Sequence, residues 1–145
     1  MGSRRKSREL ALQMLFQWDM GGLSPEHIIA TFLAAQKLDT ELRNHSRFLF
    51  EGTVREAESL DGFLREHSEH WRVERMAAVD RNILRLALYE LLHQPDTPPA
   101  VVIDEALEIA RRFSGEGSVE FVNGVLDGIR KSLPAVKAKS SKTTR

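Results

Sequence analysis

The stretch that most constrains the fold is Met76 to His93, MAAVDRNILRLALYELLH. Read at about 100° per residue, Met76, Val79, Ile83, Leu84, Leu86, Ala87, Leu88, Leu91 and Leu92 cover well over half of a helix circumference, so other helices must surround this one. Asn82, Arg85, Tyr89 and His93 recur at helical spacing as a narrow polar stripe. Glu90 falls inside the apolar arc. A carboxylate there needs a charged or hydrogen-bonding partner, since burying it alone is strongly unfavourable, and it reads as structural and not catalytic.

A chain of 145 residues fits one domain, and at that size folding buries roughly two-thirds of the unfolded surface, enough for a real core. Without Cys there is no disulfide, thiolate nucleophile or Cys-ligated zinc. The start carries no apolar run of signal-peptide length, and no stretch approaches the ~18 apolar residues of a membrane span. The expectation is a cytoplasmic protein with no membrane contact.

The formal net charge of zero conceals segregation. Residues 1–8 hold Arg4, Arg5, Lys6 and Arg8 with no acid, and residues 130–145 hold six basic residues with no acid, so 11 basic residues face all 21 acids between 9 and 129. A basic arm on an acidic body suggests a polyanion at the arm and a basic protein on the body.

In chain order, helix 1 is expected from Arg5 to Met20, closed by Gly21-Gly22. Its inner face is Leu10, Ala11, Met14, Leu15 and Trp18. Arg5, Arg8, Leu12 and Phe16 share one stripe, an edge that could pair with phosphates and stack a base; on pattern alone Phe16 equally suits the core. Cations at a helix N-terminus oppose the macrodipole by about 0.3–1 kcal/mol each, and become favourable when phosphate arrives. Ser24-Pro25 opens a second helix as cap plus N1 proline, with Ile28, Ile29, Phe32 and Leu33 inward. Asp39 or Thr40 caps a third, carrying Leu42, Phe48, Leu49 and Val54, which breaks near Ser59 to Gly62 before a short fourth. His67, Glu69 and His70 resemble metal ligands only loosely, and a polar surface turn is the simpler reading. After the linker Gln94 to Pro99, Thr97-Pro98 opens a helix with Val102, Ile103, Ala106, Leu107, Ile109, Ala110 and Phe113 inward and Asp104, Glu105, Glu108, Arg111 and Arg112 outward. Ser118 caps the last helix, where Gly124 and Gly128 suggest close helix packing and Asn123 a buried amide. Residues 134–145 lack core-forming groups and read as a disordered basic tail. No strand pattern, Gly-rich phosphate loop, Ser triad context or HExxH motif occurs, so the prediction is an all-α domain over 5–133 with about seven helices, no cofactor, no metal and no catalysis.

Three segments, RRKSRELALQMLFQWD, VDRNILRLALYELLHQPDTPPAVVIDEALEIARRF and SVEFVNGVLD, resemble the NusB family of bacterial transcription antitermination factors over essentially the whole chain to about Lys131. The specific elements are LALYEL, P..VVIDEA and FVNGVLD at their mutual spacing. The resemblance implies two packed three-helix subdomains and an RNA-binding protein that pairs with the ribosomal protein doubling as NusE. It further implies binding to boxA RNA and read-through by RNA polymerase within an antitermination complex, chiefly in ribosomal RNA operons. Carried over residue by residue, the RNA arm is Arg4, Arg5, Lys6 and Arg8. Phe16 stands where many relatives have Tyr, keeping stacking without the hydroxyl. Phe121 matches an aromatic implicated in RNA contact, with Ser118 beside it, and Gly117 departs from an acidic residue of some relatives. Met76 and Asp80 match the partner-binding region, Asp80 at a position that is commonly Glu.

Two other readings share the same helices. One is a free-standing relative of the RNA-binding domain at the front of some ribosomal RNA cytosine-5 methyltransferases; the other is a protein-only scaffold in which both basic ends are incidental. The apolar surface of helix 1 is also broad enough to be buried in a homodimer that hides the arm.

Overall fold

A computed structural model describes residues 2–67 and 72–133. Among them are seven α-helices and no strand: α1 (Gly2–Gly21), α2 (Pro25–Ile28), α3 (Thr40–Arg55), α4 (Ala57–His67), α5 (Ala78–His93), α6 (Pro99–Phe113) and α7 (Glu116–Lys131). A π-helical turn, Ile29–Leu33, extends α2, and a 3-10 turn, Val73–Arg75, precedes α5. No helix among the described residues is long and apolar enough to cross a membrane.

The central helix is central. α5 packs against α1, α3, α4, α6 and α7; around it α1 packs on α3 and α6 on α7, and α4 touches both α3 and α7. Leu84 and Leu88 are fully buried, and the hydrophobic cluster runs without interruption from Ala11 to Leu133, so both halves share one core through α5.

The polar stripe of α5 is interior as well. Asn82, Arg85 and Tyr89 are buried. Arg85 donates to both carboxylate oxygens of Asp61 at 2.8 and 2.7 Å. Asp19 of α1 accepts from Arg81 at 2.8 Å, Asn82 at 3.1 Å and Arg85 at 3.2 Å. Burial pushes the Asp19 carboxyl up, yet these donors hold it below its usual range. Buried polar groups are affordable only when bonded, and this network bonds them while tying α1 and α4 to α5. Tyr89 lies directly over Gly52 of α3, where any side-chain carbon would collide with the phenol ring.

The starts of α2 and α3 follow the sequence, whereas α1 begins at Gly2, three residues ahead of the expected Arg5. The Ser24 hydroxyl accepts from the His27 amide at 3.1 Å, and Asp39 accepts from the Leu42 amide at 2.8 Å. The starts in the second half depart from it. α6 begins at Pro99, with Pro98 in the cap position and Thr97 one residue further out. α7 begins at Glu116 behind Gly115, whose φ of 132° is open to glycine and not to ordinary side chains; Ser118 is therefore inside the first turn and is not the cap. The α3–α4 break falls at Glu56, ahead of the expected Ser59 to Gly62, and α4 runs through Gly62.

Several burial expectations are also corrected. Asn123 is exposed, so it is no buried amide, and nothing approaches Gly124 or Gly128 closely. The close approach is made by Gly52 instead. Phe48 and Phe113, expected inward, are 43% and 37% exposed, because each sits at the margin of its helix's apolar face. Of the metal-like cluster, Glu69 and His70 lie outside the described residues; His67 turns its Nδ1 to the Phe63 carbonyl at 2.9 Å. The tail over 134–145 also lies outside them.

Candidate nucleic-acid interface

The first two turns of α1 hold four cations, Arg4, Arg5, Lys6 and Arg8, and no acidic residue to offset them. Their side chains are not equivalent. Arg4 and Lys6 are exposed, and among the described residues neither has a carboxylate partner. Arg5 is half exposed and forks onto Glu105 of α6, Nε to Oε1 at 2.9 Å and Nη2 to Oε2 at 2.7 Å. The hydrogen bonds from Arg5 hold the Glu105 carboxyl below the usual carboxylate range.

Arg8 corrects the expectation of a four-residue arm. Its side chain is 7% exposed and is spent on Glu90, with Nε at 3.1 and 2.9 Å from the two carboxylate oxygens and Nη2 at 2.9 Å from Oε1. Glu90 thus has the partner its place in the apolar arc demanded. Arg8 lies on nearly the same face of α1 as Arg4, one turn further along, where the helix has entered its contact with α5, and that position makes the pair interior.

Arg4, Arg5 and Arg8 share one wall of an open cleft of about 620 Å3 whose other walls are His45 of α3 and the α5–α6 connection at Gln94 and Thr97. Burial, followed by the positive charges of Arg4 and Arg8, pushes the His45 imidazole down to about 4, so the ring is neutral at pH 7. Its two nitrogens are buried without a protein partner.

The remaining expected residues lie elsewhere. Phe16 is 42% exposed, which removes it from the core, but Leu12 below it is buried, so the stripe from Arg5 to Phe16 is not one continuous exposed edge. Twelve residues of helix separate Phe16 from Arg4 by about 18 Å. Phe16 instead lines an apolar groove of about 340 Å3 with Leu12, Val79 and Phe113. At the start of α5, Asp80 is buried and accepts from Ser114 and from Ser118, each at 3.0 Å, while the two hydroxyls lie 2.7 Å apart. Both Asp80 oxygens are therefore engaged inside the fold, and Met76, 6% exposed, is in the core. Phe121 is half-buried, its ring packed on the core.

His45, Glu105 and Phe113 line the two clefts and are not site residues in the sequence reading, where Phe113 is a core position. Glu105 read as an outward residue of α6, and no local pattern could signal its pairing with an arginine 100 positions away.

A NusB family model matches residues 5–131, nearly the entire described chain. The chain belongs to the NusB family. It is 55% identical to the transcription antitermination protein NusB of Koribacter versatilis over 97% of each chain, and 47% identical to that of Treponema pallidum over 89% of this chain and 93% of the relative. Among solved structures, T. maritima NusB superposes with a TM-score of 0.82 at 36% identity, covering 94% of this chain and 96% of that one. The structure of antitermination factors NusB and NusE in complex with double-stranded RNA holds a chain that superposes with a TM-score of 0.83 at 26% identity, over 91% of this chain and 98% of that one. The family is one of antitermination factors and not of enzymes.

Proposed function

We propose that this chain acts as an RNA-binding transcription antitermination factor that takes boxA-type RNA together with a NusE-like ribosomal protein and promotes read-through by RNA polymerase, chiefly in ribosomal RNA operons. The observation that carries the reading is the exposed start of α1, where Arg4 and Lys6 have no carboxylate partner among the described residues, in a member of this family. Unneutralised cations at a helix N-terminus are what a phosphate backbone would compensate. The acidic body, 11 basic against 21 acidic residues between 9 and 129, suits a basic ribosomal protein. Relatives named as antitermination proteins and a relative solved with NusE and RNA support both halves of the proposal.

Within this reading Arg4, Arg5 and Lys6 contact phosphates and Arg8 anchors the arm. Phe16 and Phe121 offer ring surface to a base. Asp80 acts through its hold on Ser114 and Ser118, setting the α6–α7 turn that precedes Phe121, and Met76 supports the start of α5. The cytoplasm is the compartment this role requires. Fluorescence anisotropy with a labelled boxA-type RNA, with and without the NusE-like protein, tests it. Binding that tightens with the partner is expected. Binding by the partner alone, unaffected by this chain, would overturn it in favour of a protein-only scaffold, and self-association that abolishes RNA binding would point to a homodimer hiding the arm.

A further inference from the structure

The cleft at the root of α1 has no role in the reading above. Its volume, about 620 Å3, lies in the range of ~300–1,000 Å3 typical of small-molecule sites. Its charges are almost entirely cancelled: Arg8 is matched by Glu90 and Arg5 by Glu105, which leaves Arg4 as the lining cation without a carboxylate among the described residues. Asp96 stands exposed on the connecting loop. His45, kept uncharged between Arg4 and Arg8, offers a flat neutral ring on the α3 side, and Gln94 and Thr97 offer amide and hydroxyl groups opposite. With Arg4 on the helix wall and Asp96 on the loop the lining is neutral overall, and the cation at the helix end together with the amide and hydroxyl groups suits a ligand with an anionic group at Arg4 and a planar polar body.

We infer that this cleft is a subsite for one nucleotide of the bound RNA, its phosphate at Arg4 and its base in the chamber, with Glu105 as the internal competitor for Arg5. The inference rests on the RNA-binding reading and deepens it. The two ion pairs along the arm differ in the way such a competition requires. Arg8–Glu90 is 7% and 3% exposed, and an interior pair of that kind does not exchange, because either charge left alone would be stranded. Arg5–Glu105 is 49% and 18% exposed, and a pair open to water is only weakly held, so a phosphate entering beside Arg4 can take Arg5 from the carboxylate. Glu105 thereby sets how much of the arm's charge the RNA must win from the protein.

Three variants test this by anisotropy with a single-stranded boxA-type RNA over a salt series. Glu105→Gln should tighten binding by about two- to five-fold, the equivalent of an exposed ion pair. Arg4→Ala should weaken binding and lower the log–log salt slope by about 0.7. Thr97→Trp leaves every arm charge in place and fills the cleft from the loop side, so it should weaken binding about five-fold or more, the contribution of one base contact, with an unchanged slope. Should Thr97→Trp melt below the parent, the exposed Val101 on the same wall takes the tryptophan instead. Parent-like affinity in the filled-cleft variant, or weaker binding by Glu105→Gln, overturns the subsite while leaving RNA binding by the arm intact. A parent protein with no salt-dependent RNA binding overturns both.

Discussion

Replacing Glu90 by Gln keeps the shape of the side chain and removes the charge that neutralises Arg8. Arg8 reaches Glu90 through three hydrogen bonds of 2.9–3.1 Å, and the nearest alternative carboxylate, Glu105, is 3.8 Å from Nη1 and already held by Arg5. The guanidinium of the variant would stay inside with only a neutral amide beside it. Breaking an interior pair by removing one partner costs about 3–5 kcal/mol. For a domain of this size each kcal/mol lowers Tm by roughly 3–4 °C, so a drop of about 10–20 °C is expected. The double variant Arg8→Met/Glu90→Leu restores an apolar pair and should recover most of that loss, since matched hydrophobic replacements of interior ion pairs are often neutral. Thermal and urea melts of the two singles and the double close a double-mutant cycle. A Glu90→Gln protein that melts within about 2 °C of the parent would refute the claim that Arg8 is an interior anchor and return it to the solvent-facing arm.

Three other outcomes follow from the same geometry. Gly52→Ala should destabilise by about 1–3 kcal/mol despite the better helix propensity of alanine, because the new methyl meets the buried Tyr89 ring; a stabilised variant in a urea melt would mean that Tyr89 is free to move. Phe121→Leu keeps apolar packing and removes the aromatic face, so stability should hold while RNA affinity falls by about 1 kcal/mol or more; unchanged affinity would make Phe121 purely a packing residue. His45 has a folded-state value of about 4 against 6.5 when unfolded, so between those values the unfolded chain binds the extra proton and stability rises with pH. Its contribution is present above about pH 6.5 and lost as pH falls toward 4. Melts of His45→Phe across that window should show a shallower pH dependence than the parent, and an identical profile would assign the window to other groups.

The fold was legible because helix burial has a period. The wide apolar arc of α5 required helices on all sides, and Ser24-Pro25 and Asp39 marked starts by capping chemistry that acts within three residues. What depended on distant partners was not legible. Glu90 demanded a counter-charge, but only folding selects Arg8 from the available arginines. Asp80 and Ser118 looked like surface contacts because sequence shows a carboxylate and a hydroxyl, not that each satisfies the other across the α5–α7 junction. Gly124 and Gly128 had the spacing of close packing and face open space, whereas Gly52, with no motif around it, carries the tight contact. For the site, the basic arm was visible as charge, and the division into free, latched and anchored cations was not, since it is set by Glu105 and Glu90 on helices distant in the chain.

The central claim, that the first turn of α1 meets an RNA backbone, is tested most directly by the salt dependence of RNA affinity in an Arg4→Ala/Arg5→Ala/Lys6→Ala variant that leaves the Arg8–Glu90 anchor in place. The loss of three phosphate contacts should reduce the log–log slope by about 2, with a melting curve like the parent's. A slope equal to that of the parent protein would contradict the assignment and place the RNA on another face.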